Sequence, residues 1–164
     1  MIRMTTSLGN IDIELDYENA PKSAANFEQY VKDGHFDGTI FHRVIDNFMV
    51  QGGGMLPDMS QKETRAPIEN EANNGLKNVI GTLSMARTND PHSASSQFFI
   101  NVADNAFLDH TAPTTQGWGY CVFGKVVDGM DVVNEMKGKP TTSRAGHQDV
   151  PEVDIIIEKA EIID

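Results

Sequence analysis

The stretch Phe41 to Gly54, FHRVIDNFMVQGGG, limits what this chain can fold into more than any other. Phe41, Val44, Ile45, Phe48, Met49 and Val50 are β-branched, aromatic or flexible apolar residues, which suit a pleated, half-buried surface. Asp46-Asn47 interrupts them with a turn signal, so the run predicts two short strands. Residues at even separations share a strand face, which puts Arg43 with Ile45 and Gln51 with Met49. Gly52, Gly53 and Gly54 end the run with a backbone whose missing side chains leave a ligand free to approach. Arg43 is the one permanent cation in this stretch, and an unpaired cation in apolar surroundings is expensive. Either its stem packs while the head reaches water or a carboxylate, or it is a hydrogen-bond donor beside an apolar pocket. The run alone leaves both readings open.

At 164 residues the chain is long enough to bury one substantial core, and 1–164 reads as a single domain. The formal net charge of −11 argues against phosphate-backbone partners, which need clustered Lys and Arg. Cys121 is the single cysteine, so no internal disulfide can form and a reducing, cytoplasmic setting is expected. It lies in the apolar run CVFGKVV and reads as a buried structural thiol. The first residues alternate instead of forming a leader-like apolar core, and no apolar run approaches the roughly 18 residues that would span a bilayer.

Along the chain, 2–7 and 11–16 read as strands around a Leu8-Gly9-Asn10 turn, with Ile11, Ile13 and Leu15 alternating with Asp12, Glu14 and Asp16. In NAPKSAANFEQYVKDG, Asn19 can cap a helix, Pro21 suits its first turn and Gly34 can stop it. Phe27, Tyr30 and Val31 give that helix one apolar face. Residues 52–78 show no period and read as a long functional or disordered loop. Strand patterns return at 81–86, 97–102 and 120–127, a second short helix at 129–138, and a last strand at 153–163. Many strands with two helices far apart exclude a regularly wound parallel sheet. The expected fold is mainly β: a closed antiparallel barrel with helices at its ends, since closure removes exposed edges.

No familiar catalytic group stands out. The three glycines lack the Lys-Ser/Thr of a phosphate loop. The five histidines are not spaced as metal ligands, and His42 reads as a hydrogen-bonded structural residue. No serine sits in a G-x-S-x-G elbow, although a dispersed Ser-His-Asp set is not excluded by counting. Trp118, between two glycines, reads as a loop-packing residue. No metal, cofactor or nucleophile is expected.

Taken together, FHRVIDNFMVQGG at 41–53, GTLSMA at 81–86, SSQFFIN at 95–101 and GYCVFGKVVDGMDVV at 119–133 resemble the signature blocks of the cyclophilins, peptidyl-prolyl cis–trans isomerases, over essentially the whole chain. The short cytoplasmic bacterial members are the most similar type. The resemblance implies an eight-stranded antiparallel β-barrel closed by two helices. It implies that Arg43 is the catalytic arginine and that Gln51 orients it and contacts the substrate backbone. Phe48, Met49, Phe99 and Leu108 match the walls of a pocket for the proline ring, and Gln97 a second polar contact. Ala86, Arg87 and Thr88 match the segment that pairs with the peptide backbone. Arg87 and Thr88 stand where eukaryotic members carry Asn and Ala, a change expected to shift the preference for the residue before proline. Phe107 replaces a Trp and Tyr120 a His. Losing the indole N–H implies weak cyclosporin binding, whereas the Tyr120 ring can still close the pocket. The expected partners are proline-containing peptides and unfolded proteins, met by a monomer that assists folding. A proline-reading binding module or holdase-like chaperone is the rival reading: it needs the apolar walls, whereas isomerisation also needs Arg43 and Gln51. A serine hydrolase is a distant third.

Overall fold

The structure is a computed structural model that describes residues 1–163. Alternation at the N-terminus produces β1 (Ile2–Thr6) and β2 (Gly9–Leu15), which pair antiparallel and send Ile2, Met4, Ile11 and Ile13 into the core. Helix α1 (Pro21–Lys32) follows and buries Ala24, Phe27, Tyr30 and Val31 on one side. Its expected cap is corrected: Asn19 instead bonds the Asp16 carboxylate. The open N–H groups of Lys22 and Ser23 are met by Glu71, 3.3 and 2.8 Å away, from nearly 50 residues further along the chain. An anionic acceptor suits the positive end of the helix dipole as well as any local cap.

The 41–54 run forms β3 (Arg43–Ile45) and β4 (Met49–Gly52) around a turn in which Asn47 takes a left-handed φ of 63°. Next come β5 (Thr82–Met85), β6 (Phe98–Asn101) and β7 (Val122–Asp128). Helix α2 (Met130–Lys137) buries Val133 and Met136. A two-stranded hairpin, β8 (Thr141–Arg144) and β9 (His147–Pro151), precedes β10 (Ile157–Ile162). The eight strands other than the hairpin form one antiparallel sheet in the order β10-β1-β2-β7-β5-β6-β4-β3. It curls around Phe27, Phe36, Phe41, Phe98 and Phe123, whose rings meet edge to face or tilted. The expected closure is made without a continuous ladder. Ile40 bridges both Ile156 and Met55, and the Phe41 N–H donates to Ile155 O while the Ile157 N–H donates to Thr39 O. No helix among the described residues is long and apolar enough to cross a membrane.

The 52–78 loop is ordered by polar contacts in place of apolar periodicity. Asn70, Asn74 and Asn78 donate to the carbonyls of Gly119, Val122 and Tyr120. These amides hold the segment leading into β7 as a neighbouring strand would. Arg65 pairs with Asp33 and Lys62 donates to His35 O, which straps the loop to the end of α1.

Candidate active site

β6 explains where a site can form. Its four residues, FFIN, are all buried, so the strand is covered on both faces. Phe98 and Ile100 point into the barrel, while Phe99 points out. There it joins Met49 and Leu108 in a separate buried cluster, flanked by Ile45, Phe48, Ala86 and Tyr120. Apolar residues on the outer wall of a barrel mark a binding face.

Register places the polar groups beside it. Arg43 lies opposite Gln51 across β3 and β4, and Gln51 lies opposite Phe99 across β4 and β6. Cross-strand neighbours share a face, so the guanidinium, the amide and the apolar cluster form one row. A 130 Å³ cleft opens there, lined by Arg43, Phe48, Met49, Gln51, Ala86, Arg87, Phe99, Leu108 and Tyr120. All nine are among the predicted site residues. Arg43 is exposed, and among the described residues no carboxylate reaches it. The donor is free.

The remaining predicted residues sit at the margins. Gln97 lies beside the cleft and accepts from the Gln51 amide at 3.0 Å. Phe107 is 74% exposed and stacks on Phe48 at 5.6 Å, extending the wall outward. Thr88 does not line the cleft; its N–H and hydroxyl bond the Ser93 hydroxyl. Arg87 donates to Gly119 O and lays its guanidinium 4.5 Å above the Tyr120 ring, while that ring meets Phe99 edge-on.

Two readings change and two stand. The triple glycine serves packing within the chain. A Cβ on Gly52 would stand 2.9 Å from Ile40 O, and one on Gly54 would stand 2.5 Å from Cγ of Gln97. His42, expected to be hydrogen-bonded, is buried, and its Nδ1 finds no hydrogen-bond partner among the described residues. Burial, with His147 and Arg43 nearby, pushes its pKa down to about 4. Trp118 packs between His92 and His110, a role in holding the loop. Cys121 is buried and its thiol is pushed up to about 11, chiefly by burial.

A support layer behind the cleft went unread. Asn105 donates to Phe48 O and to Asn101 Oδ1, each at 2.8 Å. Asn78 donates to Asp109 and Tyr120 O and accepts from Ser84 and Asn101. Buried amides are costly unless satisfied; here they fix the carbonyls of two cleft residues. Asn101, a lone amide in an apolar strand run, was the available signal. Size alone would have pointed elsewhere. A 610 Å³ cleft near Glu14–Asn19 and Lys125 is larger, but it mixes carboxylates and lysines with its apolar lining and holds none of the predicted site residues.

Known proteins share this fold. Residues 1–162 match the family described as "Cyclophilin type peptidyl-prolyl cis-trans isomerase/CLD". A peptidyl-prolyl cis-trans isomerase of Streptomyces antibioticus is 60% identical over 162 residues, covering 99% of this chain and 98% of that one. Peptidyl-prolyl cis-trans isomerase B of Escherichia coli is 55% identical over 162 residues, covering 99% of both. A Cryptosporidium parvum cyclophilin-type peptidyl-prolyl cis-trans isomerase, crystallised in the presence of the dipeptide Ala-Pro, superimposes with a TM-score of 0.83. It is 28% identical and covers 99% of this chain and 98% of that chain. With an eight-stranded curled sheet, two helices and full-length identity of this order, the chain belongs to the cyclophilin-type peptidyl-prolyl cis–trans isomerases.

Proposed function

We propose that the cleft beside Arg43 binds X-Pro segments of flexible or unfolded chains and catalyses their rotation by electrostatics alone, without a covalent step. The observation that carries the reading is the free Arg43 guanidinium, set in register with Gln51 and next to the Met49–Phe99–Leu108 cluster. Uncatalysed rotation meets a barrier of about 20 kcal/mol and takes roughly 10–100 s. That barrier is the amide resonance that makes the C–N bond partly double. In the twisted transition state the conjugation is lost and the proline nitrogen becomes pyramidal with a lone pair. A donor fixed beside it meets an acceptor that the planar ground state does not offer. Such differential binding is what accelerates a step.

An acceleration of about 10⁵ needs roughly 7 kcal/mol. One placed donor supplies about 3–4 kcal/mol. The apolar walls supply the rest by gripping the ring and by excluding water, which favours the planar, dipolar amide. Arginine suits the task because its charge does not depend on physiological pH and its fork is rigid. Gln51, braced by Gln97, holds the peptide backbone, and Ala86 with Arg87 borders the residues before proline. Thr88 takes part through its backbone if at all, since its side chain is engaged with Ser93. Phe107 offers a ring without the N–H donor, which makes cyclosporin a weak ligand. The whole chain acts as one domain and as a monomer, and its single buried thiol suits the cytoplasm.

The test is exchange NMR on a short Ala-Pro peptide. Wild type is expected to speed cis–trans exchange, and Arg43→Ala to lose about 10²–10³ of that rate with the fold intact. Near-normal exchange with Arg43→Ala would refute the assignment. Peptide shifts without faster exchange from wild type would make the cleft a binding module.

A further inference from the structure

The surface around Arg43 does not end at the apolar cleft. Arg43 and Gln51 also border a second cleft, 430 Å³ in volume, walled by His42, Gln61, Gln97, His147 and Gln148 and backed by two buried methionines. The two clefts share the guanidinium, so a peptide seated in one extends past the other.

The charge of this second cleft is unusual for its chain. The protein carries 24 Asp and Glu against 13 Lys and Arg. Yet no residue lining this cleft has a carboxylate, and the three that can carry charge, Arg43, His42 and His147, are all basic. His42 reports the resulting field. After burial, His147 and Arg43 nearby are what oppose its protonation, and the two imidazoles stand only 6.3 Å apart. The His42 Nδ1 has no hydrogen-bond partner among the described residues. The four glutamines add amide donors.

The wall is preformed. His147 and Gln148 stand on β9, which packs against β3. Arg144 in the same hairpin pairs with Asp154 at 2.8 Å and donates to Pro57 O at 2.7 Å. The second bond ties the hairpin to the loop that supplies the methionines, and the first ties it to the segment leading into β10.

We infer that this cleft is a substrate subsite that receives an anionic side chain, Asp or Glu, flanking the proline. The inference rests on the isomerase reading of Arg43 and adds to it a preference in client sequence. A carboxylate there gains the Arg43 guanidinium and amide donors with no opposing carboxylate, whereas a lysine would face the guanidinium with no acceptor charge.

The test uses full-length protein and pentapeptides built on Ala-Ala-Pro-Ala-Ala, with Glu, Gln or Lys placed singly at the two positions before and the two after the proline. At one or more positions Glu should exceed its isostere Gln in kcat/KM by roughly two- to fivefold, and Lys should fall below Gln, the range of a solvent-exposed pair. About 1 M salt should flatten the difference, because screening is then nearly complete at contact distances. His147→Glu and Gln61→Glu change exposed side chains outside the proline cleft. Each should abolish or reverse the Glu preference while leaving the all-Ala peptide unaffected. Equal kcat/KM for Glu, Gln and Lys at all four positions would overturn the subsite, as would a Glu preference untouched by both variants. Failure of wild type to isomerise the all-Ala peptide would instead overturn the isomerase reading, and the subsite with it.

Discussion

Gly54→Ala should damage turnover while sparing the fold, and the reason lies in one side chain. The added Cβ would stand 2.5 Å from Cγ, 2.7 Å from Nε2 and 2.9 Å from Cδ of Gln97. Ordinary contact begins near 3.4 Å, so the whole side chain must retreat by about 1 Å. Gln97 is half-buried and can swing. In doing so it releases the 3.0 Å hydrogen bond that it accepts from Gln51. Such a bond contributes about 0.5–1.5 kcal/mol net. Replacing glycine where its φ is unexceptional returns about 0.4–1 kcal/mol by restricting the unfolded chain. The two nearly cancel, so Tm should move by less than about 4 °C. Gln51, however, loses the brace that aims it at the substrate, and kcat/KM should fall by about five- to tenfold, the same 1–1.4 kcal/mol read kinetically. Gly52→Ala is the contrasting control. Its Cβ would meet Ile40 O at 2.9 Å and Phe41 Cα at 3.1 Å, backbone atoms that cannot step aside, so it should lose stability first. Exchange NMR on an Ala-Pro peptide and thermal melts measure both variants. A double-mutant cycle with Gln97→Ala then isolates the route. With Gln97 truncated, Gly54→Ala should become silent to within about 0.5 kcal/mol. Wild-type kcat/KM in Gly54→Ala, or an equal loss with Gln97 absent, would refute the reasoning.

His42 makes stability depend on pH. Its folded-state pKa is pushed down to about 4 from an ordinary 6.5, so its contribution is present above 6.5 and is lost as pH falls through about 4. Urea unfolding of wild type and His42→Leu should show a drop between pH 7 and pH 4 that is larger in wild type by up to about 3 kcal/mol; equal drops would refute it. Glu71→Ala removes the acceptor for the first N–H groups of α1 and should cost about 1–2 kcal/mol in the same assay, whereas Asn19→Ala should stay within about 0.5 kcal/mol. A larger loss from Asn19→Ala would restore the local cap.

What could be read from the chain was its apolar surface, because burying such surface leaves a periodic trace. The alternation and the Asp46-Asn47 turn signal in 41–51 correctly predicted two short strands, whose register then sets Arg43 opposite Gln51. What escaped was held by polar contacts between distant segments, which leave no period. Glu71 caps a helix that precedes it by nearly 50 residues, and Asn70, Asn74 and Asn78 stand in for a strand beside Gly119–Val122. The β8–β9 hairpin turns at Ala145-Gly146, both with left-handed φ, and alanine there carries none of the Asn or Gly signal by which such turns are recognised.

This difference has a consequence for specificity. The residues of the apolar cleft were legible through their resemblance to the cyclophilin blocks, since periodicity marks the strands that carry Met49 and Phe99 but not the turn that carries Leu108. The groups that would judge the neighbouring residues, His147 and Gln148 on an unannounced hairpin and Gln61 in an aperiodic loop, are positioned by bonds such as Arg144 to Asp154 and to Pro57 O. Reaction chemistry and client preference therefore depend on different kinds of sequence information. A change in β4 or β6 should alter the rate on every peptide. A change in the hairpin should alter only the order in which peptides are preferred.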